Sequence, residues 1–141
     1  MLLSREFRYV QTELDQMAEA CHKEGAILKV ILENAYLTDE LKIIACACCE
    51  RAGVDFVKTS TGFAPTGYTL PDLRLMRKHL AEEIGIKAAH GVKTLEQVFE
   101  VYEAGCSRIG MTSTAAILDA WTARLSASAA SDSAARVTKT G

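Results

Sequence analysis

The sequence predicts an α/β protein built from four β–α units with parallel strands and preceded by a helix. Two observations support this fold class. First, segments with apolar residues at helical spacing, which indicate helices, alternate with short apolar runs, which indicate strands. Second, this alternation follows an opening helix and repeats four times. Alternating strands and helices imply parallel strands joined by right-handed crossovers. Four units are half of an eight-stranded barrel, so the predicted architecture is a partial (half) TIM barrel.

The first half of the chain contains two helices and two strands. Residues 7–23 carry an apolar stripe at helical spacing, and Gly25 ends this helix. The apolar run 27–32 predicts the first strand. Residues 38–53 predict the second helix, because a threonine cap and two acidic residues begin it. Residues 56–58 predict the second strand.

The second half of the chain repeats the alternation and then changes character. Its predicted elements are a loop at 62–67, a helix that begins at Pro71, a strand at 86–88, a helix at 94–105, a strand at 108–110 and a helix from about 113 to 125. Proline is favoured in the first turn of a helix. Residues 126–141 have almost no large apolar side chains. We therefore predict a half-barrel domain at 1–125 and a disordered Ser/Ala-rich tail at 126–141.

The overall composition is that of one soluble globular domain. Of the 141 residues, 49% are hydrophobic and 24% are charged, which are ordinary proportions for such a domain. The net charge of -2 provides no cationic field for nucleic acid, so we predict no nucleic-acid partner. No apolar stretch has the length of a signal peptide or a membrane span. We therefore predict a cytoplasmic protein without a membrane partner.

Five cysteines raise the question of redox or metal chemistry. Their odd number and the expected reducing compartment argue against a disulfide framework. Cys46 and Cys49 form a C-x-x-C motif, but it falls inside a predicted helix rather than at its start. No second ligand pair follows at the spacing of a zinc site. We interpret the cysteines as packing residues and predict no metal site.

Two lysines are the strongest candidates for chemistry. Lys58 and Lys87 each end a short apolar run, at the point where a buried strand is expected to give way to a loop. Side chains at that end of the strands point to the working face of such folds. Mutual repulsion and burial would both lower the pKa values of the two lysines and free an amine to attack a carbonyl. The pattern indicates a Schiff-base enzyme, although a lysine at a strand end also occurs without any function.

Lys58 and the four residues that follow it form the motif Lys-Thr-Ser-Thr-Gly. Other segments accompany it in order, at 28–33, 86–94, 103–105 and 108–110. Together they closely resemble the deoxyribose-phosphate aldolase family, and the Lys-Thr-Ser-Thr-Gly motif is highly specific to it. The resemblance spans roughly residues 4–120 and covers the family's C-terminal half, so the earlier barrel strands have no counterpart here.

This resemblance implies an activity and roles for both lysines. The family cleaves 2-deoxyribose 5-phosphate reversibly into acetaldehyde and glyceraldehyde 3-phosphate, without a metal or another cofactor, in deoxyribonucleotide catabolism. Lys58 is the implied Schiff-base nucleophile. Lys87 matches the second lysine of the family, which perturbs the pKa of the first and supports proton transfer. The implied partner is a phosphorylated sugar or aldehyde substrate.

Small and polar residues near the later strand ends are the predicted binding site for the substrate and its phosphate. Backbone N–H groups at a helix N-terminus suit an anion, and the last barrel loops are its usual position. The predicted residues are Thr61, Gly62, Gly91, Val92, Gly110, Thr112 and Ser113. Lys29 and His90 are further candidates: the resemblance points Lys29 inward, and His90 replaces a family glycine, where its ring either crowds or binds the phosphate. Glycine after a strand and serine at an N-cap are also common without a ligand.

The family's proton relay uses an aspartate on an earlier strand that this sequence does not contain. Asp55 is no substitute, because it precedes Lys58 by three residues and so faces the other side of the strand. The leading hypothesis is an aldolase of this family, and another Schiff-base aldolase is a weaker one. The alternative is a truncated, inactive half-barrel that binds phosphorylated ligands or assembles with a partner chain. Two open sheet edges and an uncovered apolar face predict a homo-oligomer or pairing through the edges.

Overall fold

The structure, a computed structural model, describes residues 1–137, and its side chains are described to residue 128. The helices are α1 (Phe7–Lys23), α2 (Asp39–Ala52), α3 (Leu70–Lys78), α4 (Leu95–Glu103) and α5 (Thr114–Val137), and a short 3-10 helix covers Asn34–Tyr36. The strands are β1 (Lys29–Ile31), β2 (Phe56–Lys58), β3 (Gly85–Ala89) and β4 (Arg108–Gly110). This order of elements confirms the prediction of a helix followed by four β–α units.

The four strands form one parallel sheet in the order β1-β2-β3-β4. Their register aligns Ile31 with Lys58, Lys58 with Lys87, and Lys87 with Arg108. Aligned residues of neighbouring parallel strands project to the same face, and side chains alternate between faces along each strand. The register therefore decides which side chains share a surface.

One face of the sheet holds the hydrophobic core beneath the helices. Val57, Ile86 and Ala88 point to this face and are fully buried. The helices contribute apolar side chains to the same cluster, among them Cys46, Cys49, Leu73, Met76 and Val101. Burial of these chains is the main force that stabilises the domain.

The opposite face of the sheet carries the alternate residues of each strand. Its strand residues are Lys29, Ile31, Phe56, Lys58, Gly85, Lys87, Ala89, Arg108 and Gly110. The sequence predicted that an apolar face would be left uncovered. The face carries apolar side chains, among them the exposed Ile31, and it also carries one cation from each of the four strands.

Local capping explains where several helices begin and end. The Thr38 hydroxyl accepts a hydrogen bond from the Leu41 N–H at 3.4 Å, at the start of α2. At the start of α4, Thr94 and Gln97 form a reciprocal capping box. Gly53 ends α2 with a φ of 67°, a left-handed conformation that glycine adopts readily.

The C-terminal segment differs from the prediction. We expected a disordered tail from residue 126, but α5 continues to Val137, and residues 138–141 lie outside the described residues. The segment is rich in alanine, which has the highest helix propensity, so a helix needs no large apolar stripe there. Among the helices of residues 1–137, none is both long enough and apolar enough to cross a membrane.

The cysteines of α2 are packing residues. Cys46, Cys48 and Cys49 are buried against the core. Burial raises the pKa of Cys46 to about 11 and that of Cys49 to about 12, which keeps both thiols protonated and unreactive at neutral pH. Within residues 1–128, no three His, Cys, Asp or Glu side chains are grouped so that they could hold a metal ion.

Candidate active site

Lys58 and Lys87 lie next to each other on the open face of the sheet. Lys58 is the last residue of β2, and its direct partner in the register is Lys87 of β3. Lys87 lies two residues before the end of its strand rather than at the end itself. Burial lowers the pKa of Lys87, and the nearby charges of Lys29, Lys58 and Arg108 lower it further. The structure thus places the two lysines as neighbours and favours the neutral amine at Lys87.

A cavity of about 430 Å³ lies beyond the carboxyl ends of β2, β3 and β4. Its walls come from the loops that follow these strands. Most of the predicted site residues line it, namely Lys58, Thr61, Gly62, His90, Gly91, Val92, Gly110 and Thr112. The cavity is large enough for a small phosphorylated molecule, and Lys58 is the member of the lysine pair that lines it.

Three predicted site residues do not line this cavity. Lys87 lies against its wall, since a Cβ on Gly110 would be 3.2 Å from the Lys87 Cε and 3.7 Å from its Nζ. Ser113 precedes α5, where its carbonyl accepts a hydrogen bond from the Ile117 N–H. Lys29 is directed towards Phe56, with its Nζ 5.5 Å from the ring centroid.

The loop after β3 has an unusual backbone at His90 and Gly91. Their φ angles are 67° and 114°, and the left-handed region disfavours residues that have a Cβ. The His90 side chain is exposed and lines the cavity. Gly67 packs directly on the His90 backbone, where a Cβ would collide with the His90 carbonyl oxygen. The fold therefore accommodates histidine at the position of the family glycine, but with a strained backbone.

The loop after β2 is attached to both neighbouring strands. The buried Thr59 hydroxyl accepts a hydrogen bond from the Ala89 N–H at 3.2 Å, which joins the loop to the end of β3. On the other side, both carboxylate oxygens of Glu33 accept from the Thr61 N–H, at 3.1 and 3.2 Å. The Thr61 hydroxyl donates to the same carboxylate. These hydrogen bonds fix the position of the segment that follows Lys58.

Glu33 is a site residue that the sequence did not predict. Its φ of 56° places it in the left-handed region two residues after the end of β1, and the turn directs its carboxylate towards the loop after β2. The available signal was an acidic residue directly after a predicted strand, one strand before the Lys-Thr-Ser-Thr-Gly motif. Parallel strands end at the same edge of a sheet, so such a residue is close to the motif.

The described residues place no carboxylate in an ion pair with Lys29, Lys58, Lys87 or Arg108. Asp55 lies at the start of β2, where it accepts from the Leu28 N–H at 2.7 Å and pairs with His22 at 3.0 Å. These bonds, led by the one to His22, lower the pKa of Asp55. Asp55 is thus occupied away from Lys58, and His22 is its partner.

The fold and the site together define a class of protein: a half TIM barrel of parallel β–α units with a lysine in the cavity at the carboxyl ends of the strands. No protein-family model matches the sequence. The deoxyribose-phosphate aldolase of Thermococcus kodakarensis is 46% identical over 118 residues, which are 84% of this chain and 53% of that protein.

Solved structures agree with this relationship. An aldolase named QR15 superposes with a TM-score of 0.77 at 38% identity, over 86% of this chain and 54% of that one. The tetrameric deoxyribose phosphate aldolase of Aeropyrum pernix gives a TM-score of 0.76 at 27% identity, over 85% of this chain and 52% of that one. The chain is a relative of the deoxyribose-phosphate aldolases and spans about half the length of the curated relatives it matches.

Proposed function

We propose that this chain carries the nucleophile of a deoxyribose-phosphate aldolase, a class I carbon–carbon lyase. The observation that supports this proposal is the position of Lys58. It lines a cavity formed by the strand-end loops, and its register partner Lys87 is a lysine whose pKa is lowered by burial and neighbouring charges. A lysine that lines a cavity beside a second lysine is an arrangement that suits the attack of an amine on a carbonyl.

In the proposed reaction, the Lys58 amine adds to the aldehyde carbon of open-chain 2-deoxyribose 5-phosphate, and loss of water forms an iminium. The iminium withdraws the electron pair of the bond between C2 and C3, so this bond breaks. The C3 hydroxyl gives up its proton to a base as C3 becomes the aldehyde of glyceraldehyde 3-phosphate. The remaining enamine is protonated at C2, and water then releases acetaldehyde and the free lysine.

Lys87 is the proposed partner in proton transfer. Its side-chain nitrogen lies against the wall of the cavity beside Gly110, and a lowered pKa makes this lysine a better partner for proton exchange than an ordinary lysine. No carboxylate of the described residues pairs with either lysine. Without a further relay group, we expect turnover to fall by about 10²–10⁴-fold, the usual contribution of general acid–base catalysis.

The phosphate of the substrate is proposed to bind at the far side of the cavity. Gly91 and Gly110 add no side chain of their own to the cavity, and Thr112 lies two residues before α5. The free N–H groups of the first turn of a helix attract anions. We propose that the exposed imidazole of His90, which lines the cavity, donates a hydrogen bond to the same phosphate.

The chain is further proposed to assemble through the edges of its sheet. β1 and β4 each have a free side in the order β1-β2-β3-β4, and unpaired strand edges readily add another strand. A homo-oligomer is the other proposed assembly, since the structural relative from Aeropyrum pernix is tetrameric.

Trapping of the imine tests the role of Lys58. The protein is incubated with acetaldehyde, reduced with borohydride and analysed by mass spectrometry of the intact chain and its peptides. We expect one added ethyl group on Lys58, and none at this position in Lys58→Ala. Lys78→Ala is the matched control, because Lys78 is exposed on α3, away from the cavity. An unmodified Lys58, or modification spread evenly over surface lysines, contradicts the proposal.

A further inference from the structure

The loop that follows β2 is bound at both of its ends to the end of β3 and the turn after it. At the first end, the Thr59 hydroxyl accepts a hydrogen bond from the Ala89 N–H at 3.2 Å and donates to the Ala89 carbonyl oxygen at 3.4 Å. At the second end, the Tyr68 N–H donates to the carbonyl oxygens of Ala89 and His90, at 3.1 and 3.2 Å. Residues 59–68, which we call the nucleophile loop, therefore form one hydrogen-bonded unit with this turn.

Close packing by the nucleophile loop also holds the turn at His90 and Gly91 in its strained conformation. Gly67 lies directly on the His90 backbone, where a Cβ on Gly67 would collide with the His90 carbonyl group. The Tyr68 ring lies on the other residue of the turn, since a Cβ on Gly91 would be 3.7 Å from the Tyr68 Cε1. The φ of His90 is 67°, and such a backbone persists only where its surroundings hold it. The turn and the loop thus fix each other's positions.

Lys58 is directly attached to this unit. It precedes Thr59, which is fully buried and whose N–H donates to the Lys87 carbonyl oxygen at 3.1 Å. Ala89 is therefore connected to Lys58 through the hydrogen bonds of one intervening residue. Close-packed interiors transmit displacement, so a change in the position of the turn acts on the backbone that carries Lys58.

Between its two attached ends, the nucleophile loop makes few buried contacts. Residues 61–66 are exposed except for Ala64, and the Phe63 side chain is 97% exposed. The turn at His90 and Gly91 is exposed as well. Segments with few buried contacts open at a low cost in free energy. A ligand that binds only to the ordered arrangement of such a segment increases the population of that arrangement.

We propose that an oxyanion bound at the turn of His90 and Gly91 increases the reactivity of Lys58, because it stabilises the arrangement of the nucleophile loop that presents the amine to the cavity. This inference rests on the proposed function and deepens it. The ligand is the phosphate group of the substrate, for which inorganic phosphate is the probe. Binding energy gained at the phosphate then accelerates the reaction at the distant carbonyl. The site thus selects phosphorylated aldehydes by their rate of reaction as well as by their affinity.

Imine trapping in the presence of inorganic phosphate tests the proposal. Acetaldehyde has no phosphate, so inorganic phosphate can occupy the turn while acetaldehyde reacts with Lys58. The rate at which borohydride traps the imine on Lys58 is measured by peptide mass spectrometry at increasing phosphate concentration. The pH is fixed, and chloride keeps the ionic strength constant. We expect saturating phosphate to raise the trapping rate by at least about fivefold, the lower end of the usual coupling between two sites.

Gly67→Ala tests the route through the nucleophile loop. Its added methyl group displaces the His90 backbone, so the increase caused by phosphate should disappear. Gly25→Ala, just after α1, is the matched control and should keep the increase, because among the described residues the same methyl group has no non-neighbouring heavy atom within 4 Å. If Gly67→Ala is unfolded by circular dichroism, Thr59→Val replaces it, since this change removes the hydroxyl that bonds to Ala89.

Three results overturn the proposal, and they are distinguishable from one another. Trapping of Lys58 that phosphate leaves unchanged or slows overturns the coupling but not the nucleophile; a slower rate is expected if the anion only stabilises the protonated amine. A complete lack of trapping on Lys58, with and without phosphate, overturns both the coupling and the proposed function. An equal increase in Gly67→Ala and in the parent overturns the route through the loop.

Discussion

Glu33→Gln tests how the nucleophile loop is positioned. The substitution keeps the size of the side chain and removes the charge that accepts from both the N–H and the hydroxyl of Thr61. A hydrogen bond to a charged group contributes about 1.5–3 kcal/mol. Thr61 is exposed, so solvent reduces the contribution of these hydrogen bonds. We expect the ordered loop to lose about 1.4 kcal/mol of stabilisation, which lowers its population by about tenfold.

The rate at which Lys58 is trapped with acetaldehyde and borohydride measures this effect. We expect the rate in Glu33→Gln to fall by about tenfold, with a small change in the denaturant midpoint. Thr61→Val removes the hydroxyl alone and should have a smaller effect, and the double variant should cost less than the sum because the two residues share one interaction. Glu82→Gln, at an exposed position after α3, is the control. An unchanged trapping rate in Glu33→Gln would refute the positioning role.

Three further predictions concern stability. Asp72→Asn should lower the free energy of unfolding, measured in urea, by about 3 kcal/mol. The Lys42 ammonium would lose its closest carboxylate, 2.6 Å away in a largely buried ion pair. A loss below about 1 kcal/mol would contradict this prediction. The pKa of Lys87 is lower in the folded state than the ordinary lysine pKa of the unfolded chain. Between these two pKa values the unfolded chain binds more protons than the folded one, so the free energy of unfolding should rise with pH in this range. Lys87→Met should raise stability at neutral pH and flatten that rise, and an unchanged slope would count against it. Gly85→Ala should cost about 1–3 kcal/mol, because its Cβ would collide with the Phe56 ring, and a variant as stable as the parent would show that the ring moves freely.

Most of the secondary structure was predictable because it depends on local signals. Helix α1 and strands β2 and β4 have the predicted bounds, since periodicity, glycine ends and threonine caps act over a few residues. The helix at 126–137 was not predicted. There, the high helix propensity of alanine favours a helix although the segment has few large apolar residues.

The identity of the nucleophile candidate and the parallel α/β fold were determined by the sequence alone, through the motif at Lys58 and the alternation of elements. The assembly of the site was decided by the tertiary structure. The register of β2, β3 and β4 aligns Lys58 with Lys87 and Lys87 with Arg108, and a turn at Glu33 brings its carboxylate to Thr61. Such contacts join residues far apart in the chain. Periodicity reports which face of an element is buried, but only the pairing of strands determines which charges become neighbours.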